Sequence, residues 1–202
     1  MTRIDVLDHG FVELIDTMGG DAAVIRAARI CYDSESSGED AKLIQRLMKA
    51  RHNTPFEHAY FTFKVKAPLA VTRQIMRHRV CSFNERSLRY CTAEREYYSP
   101  SDEPGLDAYR RHVESCFDVY EDLCKEGWKK ERARFVLPVC VYTTFIWTIN
   151  CWSLCNFLQK RLDKAAQWET RQYAKALLPL WTEAMPITSA AWRELHYAAN
   201  VG

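Results

Sequence analysis

Residues 139–149, VCVYTTFIWTI, concentrate β-branched and aromatic side chains, the composition that suits a pleated and partly buried strand. No other stretch constrains the fold as tightly. Residues 59–66, AYFTFKVK, place Phe61, Phe63 and Val65 on one face and predict a half-buried strand. Residues 3–7, RIDVL, alternate as another. Most of the remaining chain repeats apolar residues at helical spacing. Asp21 reads as the cap of a helix carrying Val24, Ile25, Ala28 and Cys31. Residues 39–50 repeat Leu43, Ile44, Leu47 and Met48. Pro68 starts a helix through Leu69, Thr72, Ile75 and Met76 that runs into Arg77, His78 and Arg79. Residues 106–124 form a long amphipathic helix stopped by Gly127. A further helix over 129–136 ends at Pro138, and three more cover 151–160, 165–184 and 189–198, the last two separated by Pro186. Residues 80–99 have no clean period and read as a loop with room for a short strand. The expectation is one mixed α/β (α+β) domain over 1–202, a small central β-sheet flanked by long helices.

Composition excludes several classes. The 202 residues carry 28 Lys and Arg against 26 Asp and Glu, so the formal charge is only +2. A nucleic-acid partner is not indicated, and any anion site must come from local clustering. No apolar run is long enough to span a bilayer, and the first residues lack an apolar signal core. The expected location is the cytoplasm, with no membrane partner. Eight cysteines without a Cys-x-x-Cys pair read as reduced thiols, mostly buried as small apolar groups, and no metal site is expected.

Four clusters carry chemistry. In residues 74–90, QIMRHRVCSFNERSLRY, arginine forks that match phosphate oxygens alternate with short hydrogen-bonding groups suited to the edge of an imide ring. Arg77, His78 and Arg79 are consecutive at a helix end, where successive side chains turn by about 100°, so they fan out toward different places. Cations at a helix C-terminus on a solvated face are the simpler account of the triplet alone, and it is the polar loop after it, with few apolar residues to fix it, that points to a ligand. In the second cluster, Arg134 lies among apolar residues, where either a buried salt bridge or an anion site explains it. In the third, NCWSLCNFLQKR over 150–161, Asn150 and Asn156 are either specific ligand contacts or an N-cap and a satisfied core amide. In the fourth, Thr54 and Glu57 form a capping box, and His52 reads as a solvated turn histidine unless a ligand reaches it.

The run Arg77-His78-Arg79, Ser82, Asn84-Glu85, Ser87 and Arg89-Tyr90 resembles the RHRxxSxNExSxRY signature of the flavin-dependent thymidylate synthase family. DVLDHGFVELIDTMG, RAARICYD, NTPFEH, FTFKVKAP, ERARFVLP, FIWTIN and SLCNFL extend the resemblance over nearly the whole chain. It implies a homotetramer with active sites shared between subunits. It implies FAD contacts from Thr54, Glu57, Arg77, His78, Arg79, Asn84, Glu85, Asn150, Trp152 and Asn156. It implies dUMP contacts from Gln74, Arg77, Glu85, Arg86, Ser87, Leu88, Arg89, Arg134 and Arg161, and places His52 near flavin and folate. The chain departs from the family pattern at Cys31, Leu88, Trp152 and Ala165, which bears on the FAD adenine and pyrophosphate contacts.

The implied reaction is reductive methylation of dUMP to dTMP, with 5,10-methylenetetrahydrofolate as carbon donor, NADPH-reduced FAD as hydride source, and tetrahydrofolate released. Arg161 is the expected activator of the pyrimidine, stabilising charge on its carbonyl oxygen. Ser87 orients dUMP. Another NADPH-dependent flavin reductase, or a nucleotide-binding module, are the competing readings.

Overall fold

The computed structural model of the chain describes residues 2–30 and 38–197. Five antiparallel strands form one sheet in the order β1-β2-β3-β5-β4. The two central strands, β3 (Tyr60–Pro68) and β5 (Tyr142–Asn150), pair along their whole length, from Tyr60 opposite Asn150 to Pro68 opposite Tyr142. This register puts Phe61, Phe63, Val65, Phe145, Trp147 and Ile149 on one face, and all six are buried. Burying a side chain of this size contributes about 1.5–3 kcal/mol, so the central pair alone supplies a large share of the driving force. Helices α6 (Cys151–Arg161) and α7 (Trp168–Ala184) cover this face. The opposite face carries Thr62, Lys64, Thr144 and Thr148, exposed or half-buried.

The outer strands complete the sheet. β1 (Arg3–Val6) pairs with β2 (Gly10–Met18), and β2 pairs with β3 with a register break between Leu14 and Asp16. The sequence reading missed β2, and the break is the reason: a bulge shifts the alternation that would have revealed the strand. Gly10 is obligatory, because a Cβ there would lie 2.1 Å from the Tyr173 hydroxyl. That hydroxyl crosses the strand to donate to the Lys66 carbonyl at 2.7 Å, tying α7 to the sheet. β4 (Cys81–Glu85) is the short strand for which the 80–99 region left room, and it forms one edge.

The helices follow the predicted pattern with informative shifts. Helices α2 (Asp40–Lys49) and α4 (Leu106–Lys125) match the predicted spans. Pro68 is the last residue of β3, and α3 begins at Leu69 and ends at Ile75. The predicted helix over 129–136 is one turn of α-helix, α5 (Lys130–Ala133), tightening into a 3-10 turn over Arg134–Val136. α8 runs Pro186–Trp192 and continues as a π-helical turn over Arg193–Tyr197, so Pro186 opens the last helix rather than only preceding it. Cys31 lies outside the described residues.

Asp21 does not cap its own helix α1 (Gly20–Ile30). Its carboxylate accepts from the backbone N–H of Ile187 (2.9 Å) and Thr188 (3.0 Å) and from the Thr188 hydroxyl (2.5 Å), capping α8 from a point 166 residues away in sequence. No cap residue beside Pro186 supplies this, since Met185 has no suitable side chain. Asp21→Ala is expected to lower stability by about 2 kcal/mol, the upper range for a lost N-cap, and Asp21→Asn by about half of that. Thermal unfolding monitored by circular dichroism checks it; unchanged midpoints in both variants would remove this role.

Candidate active site

Helix α3 delivers the arginine-histidine-arginine run in the turn that follows it. The triplet lies past the end of α3 rather than on its last helical turn, so a turn sets the divergence instead of helical steps: Arg77 and Arg79 are exposed, and His78 turns inward. Its ring meets Phe157 edge-on at 4.8 Å, and Phe157 in turn meets Trp147 at 5.0 Å, so His78 is seated on the main core. Arg161, at the end of α6, donates from Nε to His78 Nε2 (3.2 Å) and from Nη2 to the Gln74 carbonyl (3.1 Å). A ring nitrogen that accepts must be unprotonated, so neutral His78 carries its proton on Nδ1. Burial first, then the neighbouring charges of Arg161 and Lys160, lower the His78 pKa to about 4. Arg161 is half-buried and has no carboxylate partner among the described residues. Two neutral acceptors orient its fork and leave its charge uncompensated.

β4 carries the middle of the motif. Phe83 stacks on Trp147 (5.9 Å, 10° between planes) and packs near Phe145, while Ser82 and Asn84 face the other side, both exposed. Glu85 accepts from the Thr143 hydroxyl at 2.8 Å. Ser87 then opens a turn: its carbonyl accepts from the N–H of Tyr90 (3.1 Å) and Cys91 (3.0 Å), and its hydroxyl from the N–H of Arg89 (3.3 Å). Leu88 sits on this turn, half-buried. Arg89 pairs with Glu131 at 3.0 Å. Arg86 spends its fork on Glu94 (2.7 Å) and the Thr92 carbonyl (3.3 Å), so it closes the neck of its own loop. Arg134 is half-buried on the 3-10 turn without an ion pair among the described residues, which removes the salt-bridge explanation of it.

The remaining candidates gather where β3 begins and β5 ends. The Cys151 N–H donates to the Ala59 carbonyl at 2.8 Å, joining the Thr54–His58 turn to the start of α6. Asn150 caps α6 by accepting from the Ser153 N–H at 2.8 Å. Asn156 is half-buried with no hydrogen bond among the described residues, so it is not a satisfied core amide. It lines a cavity of about 60 Å³ with Met48, Arg51, Trp152, Cys155, Gln159 and Trp192. Trp152 packs near Phe56 at 6.0 Å. His52 and Thr54 are exposed. The predicted capping box is absent. Asn53 holds the cap position of a five-residue 3-10 turn, Thr54 makes no cap bond, and Glu57 accepts from Asn53 Nδ2 at 3.3 Å. A 3-10 turn this short is closed by its backbone bonds and by buried Pro55 and Phe56.

One thiol expectation changes. Among the described cysteines all seven are free, but only Cys151 and Cys155 are buried, the others half-buried. Burial pushes the Cys81 thiol up, so it is not a poised thiolate. No cluster among the described residues could hold a metal ion, and no described helix is long and apolar enough to cross a membrane. Sequence reasoning missed Gln167, which meets the Gln74 side chain, and Glu131 as the partner of Arg89. Both partnerships span too many residues for spacing to reveal them.

The His78 arrangement fixes a pH response. A histidine whose pKa falls on folding gains protons more readily unfolded. Stability is therefore retained above about 6.5 and declines as pH drops from there toward 4. Arg161→Gln removes one of the charges that lower this pKa, so the His78 midpoint is expected to rise from about 4. Histidine NMR titration reads it; an unmoved midpoint would contradict the pairing.

The family model for the thymidylate synthase complementing protein matches residues 13–187. A flavin-dependent thymidylate synthase of Thermotoga neapolitana is 41% identical over 98% of this chain and 98% of its own length. That of Thermus thermophilus is 41% identical over 95% of this chain and 78% of its own. A crystal structure of a UMP/dUMP methylase, PolB, from Streptomyces cacaoi bound with 5-Br dUMP superposes with a TM-score of 0.87 at 31% identity, covering 96% of this chain and 98% of that one. The chain belongs to the flavin-dependent thymidylate synthase family.

Proposed function

We propose that this protein is an FAD-dependent thymidylate synthase. It converts dUMP to dTMP with 5,10-methylenetetrahydrofolate as carbon donor and releases tetrahydrofolate, in the cytoplasm. The observation that carries the reading is Arg161: a half-buried guanidinium, aimed by neutral His78 and the Gln74 carbonyl, with no carboxylate to quench it. Such a group stabilises negative charge that develops nearby. Here that charge is on the carbonyl oxygen of uracil as its C5 becomes nucleophilic.

The donor set fits a diphosphate-bearing flavin and a nucleotide monophosphate together. Arg77, Arg79, Arg134 and Arg161 all lack carboxylate partners among the described residues, a surplus of cations that anionic ligands would satisfy. Arg77, His78, Arg79, Asn84, Glu85, Thr54, Glu57, Asn150, Trp152 and Asn156 would hold FAD. Bound there and reduced by NADPH, FAD would supply the hydride needed to turn the transferred methylene into a methyl group. Arg89 and Arg134 hold the dUMP phosphate, Ser87 and the Leu88 backbone fix its orientation, Gln74 and Arg161 address the ring, and His52 lies toward flavin and folate. The raised Cys81 pKa supports a route without cysteine attack on the ring.

Assembly as a homotetramer follows the same logic. The RHR run precedes β4 and the Ser87–Arg89 turn follows it, and a five-residue strand spans roughly 13 Å between them. One dUMP would then draw the two halves of the motif from different subunits. Exposed Val80 and Tyr90, at 70% and 73%, flank these segments, Phe135, at 81%, follows Arg134, and all three suit burial by neighbours.

Three outcomes are expected. Arg161→Ala lowers kcat with little loss of thermal stability, by the ~3 kcal/mol of barrier typical of a lost charge-stabilising donor, and Arg161→Lys rescues poorly because it lacks the fork. Wild-type turnover in both variants would remove the assigned role. Tetrahydrofolate forms one-for-one with dTMP, and Cys81→Ser and Cys91→Ser stay active; chromatography showing stoichiometric dihydrofolate would overturn this route. Unfolding and co-refolding Arg161→Ala with Arg89→Ala restores partial activity if sites are shared, whereas persistent inactivity would place both residues in one chain's site.

A further inference from the structure

Between β4 and the isolated bridge of Tyr97 with Val141, residues 86–96 belong to no helix or strand, yet they carry the Ser87–Arg89 turn. Backbone bonds hold its two ends, Arg86 N–H to the Thr144 carbonyl and Tyr142 N–H to the Glu96 carbonyl, and side-chain ties hold much of what lies between. Arg95 makes the densest set of them. Its Nε meets Glu121 at 2.7 Å, Nη1 meets Glu114 at 3.0 Å and Nη2 meets Asp118 at 2.6 Å. Its guanidinium carbon also lies 5.7 Å from the ring centre of buried Phe117. Glu114, Asp118 and Glu121 are spaced over two turns of α4 and share one face. All three arms of one planar fork are therefore engaged by one rigid helix. On the adjacent residue positions, the Ala93 N–H donates to the Tyr120 hydroxyl at 3.2 Å, and Glu96 pairs with Lys66.

We infer that Arg95 is a positioning residue for dUMP: it clamps the substrate loop to α4 and so sets where the Ser87–Arg89 turn presents its groups. The inference rests on the proposed synthase reading of that turn. Arg95 touches no substrate. Isolated exposed ion pairs contribute little, but a fork shared among three carboxylates resists rotation that a single pair would permit. Removing it also leaves three like charges on one helix face with nothing to hold them together. What then remains between the loop and α4 is the Ala93 N–H bond to the Tyr120 hydroxyl and the packing of Ala93 on the Phe117 cluster, while the Arg86–Glu94 pair closes the loop only on itself.

The test uses the FAD-loaded protein and the change in flavin absorbance on titration with dUMP. Arg95→Ala is expected to weaken dUMP about tenfold while FAD content, thermal midpoint and kcat at saturating dUMP stay near wild type. Arg95→Lys falls between, since an ammonium cannot engage three carboxylates in one plane. Lys125→Ala, which breaks an exposed pair with Asp122 on the same helix, behaves as wild type. Should Arg95→Ala fail to fold, the double variant Asp118→Asn, Glu121→Gln loosens the clamp and gives a smaller loss of dUMP affinity. Unchanged dUMP affinity in the folded variants overturns the inference, as does a loss of FAD content and melting temperature in step with dUMP affinity. A wild-type protein whose flavin ignores dUMP would instead remove the synthase reading, and this inference with it.

Discussion

The nine-residue pairing of β3 with β5 is the constraint on which the rest depends. Because side chains alternate along a strand, a slip of one residue would turn Phe63 and Trp147 to the polar face and bring Lys64 and Thr148 into the core. The register is therefore tightly specified. Its two ends place the neighbouring elements. At one end Tyr60 faces Asn150, which brings the Thr54–His58 turn against the first turn of α6. At the other end Pro68 faces Tyr142, where the N–H groups of Leu69 and Ala70 donate to the carbonyls of Val141 and Val139 and start α3. α3 then returns the chain so that Gln74 and His78 meet the last residue of α6.

Trp147 links this frame to the site. Phe63, Phe83 and Phe157 all pack on it, and Phe157 carries His78. The same burial that stabilises the core denies His78 water and keeps it neutral. A protonated ring would repel Arg161 and offer it no acceptor. Core packing thus decides which way the guanidinium points and leaves its charge available, which is an electrostatic property obtained from apolar contacts.

Legibility in the sequence followed the range of the interactions. Residues 59–66 announced a strand by alternation and 139–149 by composition, although β5 begins only at Tyr142 because composition does not mark the turn over Val139 and Cys140, and the helices of 106–124 and 151–160 announced themselves by spacing. The signature at Arg77–Tyr90 was readable because it is contiguous. β2 was hidden by one bulge, and Asp21 was assigned to the helix beside it because nothing local marks Ile187 and Thr188 as its partners. Thr54 and Glu57 had the spacing of a capping box, but Asn53 occupies the cap and the turn is 3-10. The pairs His78 with Arg161 and Arg89 with Glu131 span 83 and 42 residues, and only the fold brings them together.

The fold and the site are held by different forces. The sheet and the helices on its buried face are fastened by aromatic and aliphatic contact, which is insensitive to salt and charge. The loop after β4 draws many of its side-chain ties from ion pairs: Arg86 to Glu94, Arg89 to Glu131, Arg95 to α4 and Lys66 to Glu96. Charged ties leave the Ser87 and Arg89 groups at the surface. The Arg89 tie is a single exposed pair, made through Nε alone, so it constrains the side chain weakly. Glu131 thus holds Arg89 from one turn of α5, while Arg134, on the 3-10 turn that continues α5, has no carboxylate partner among the described residues.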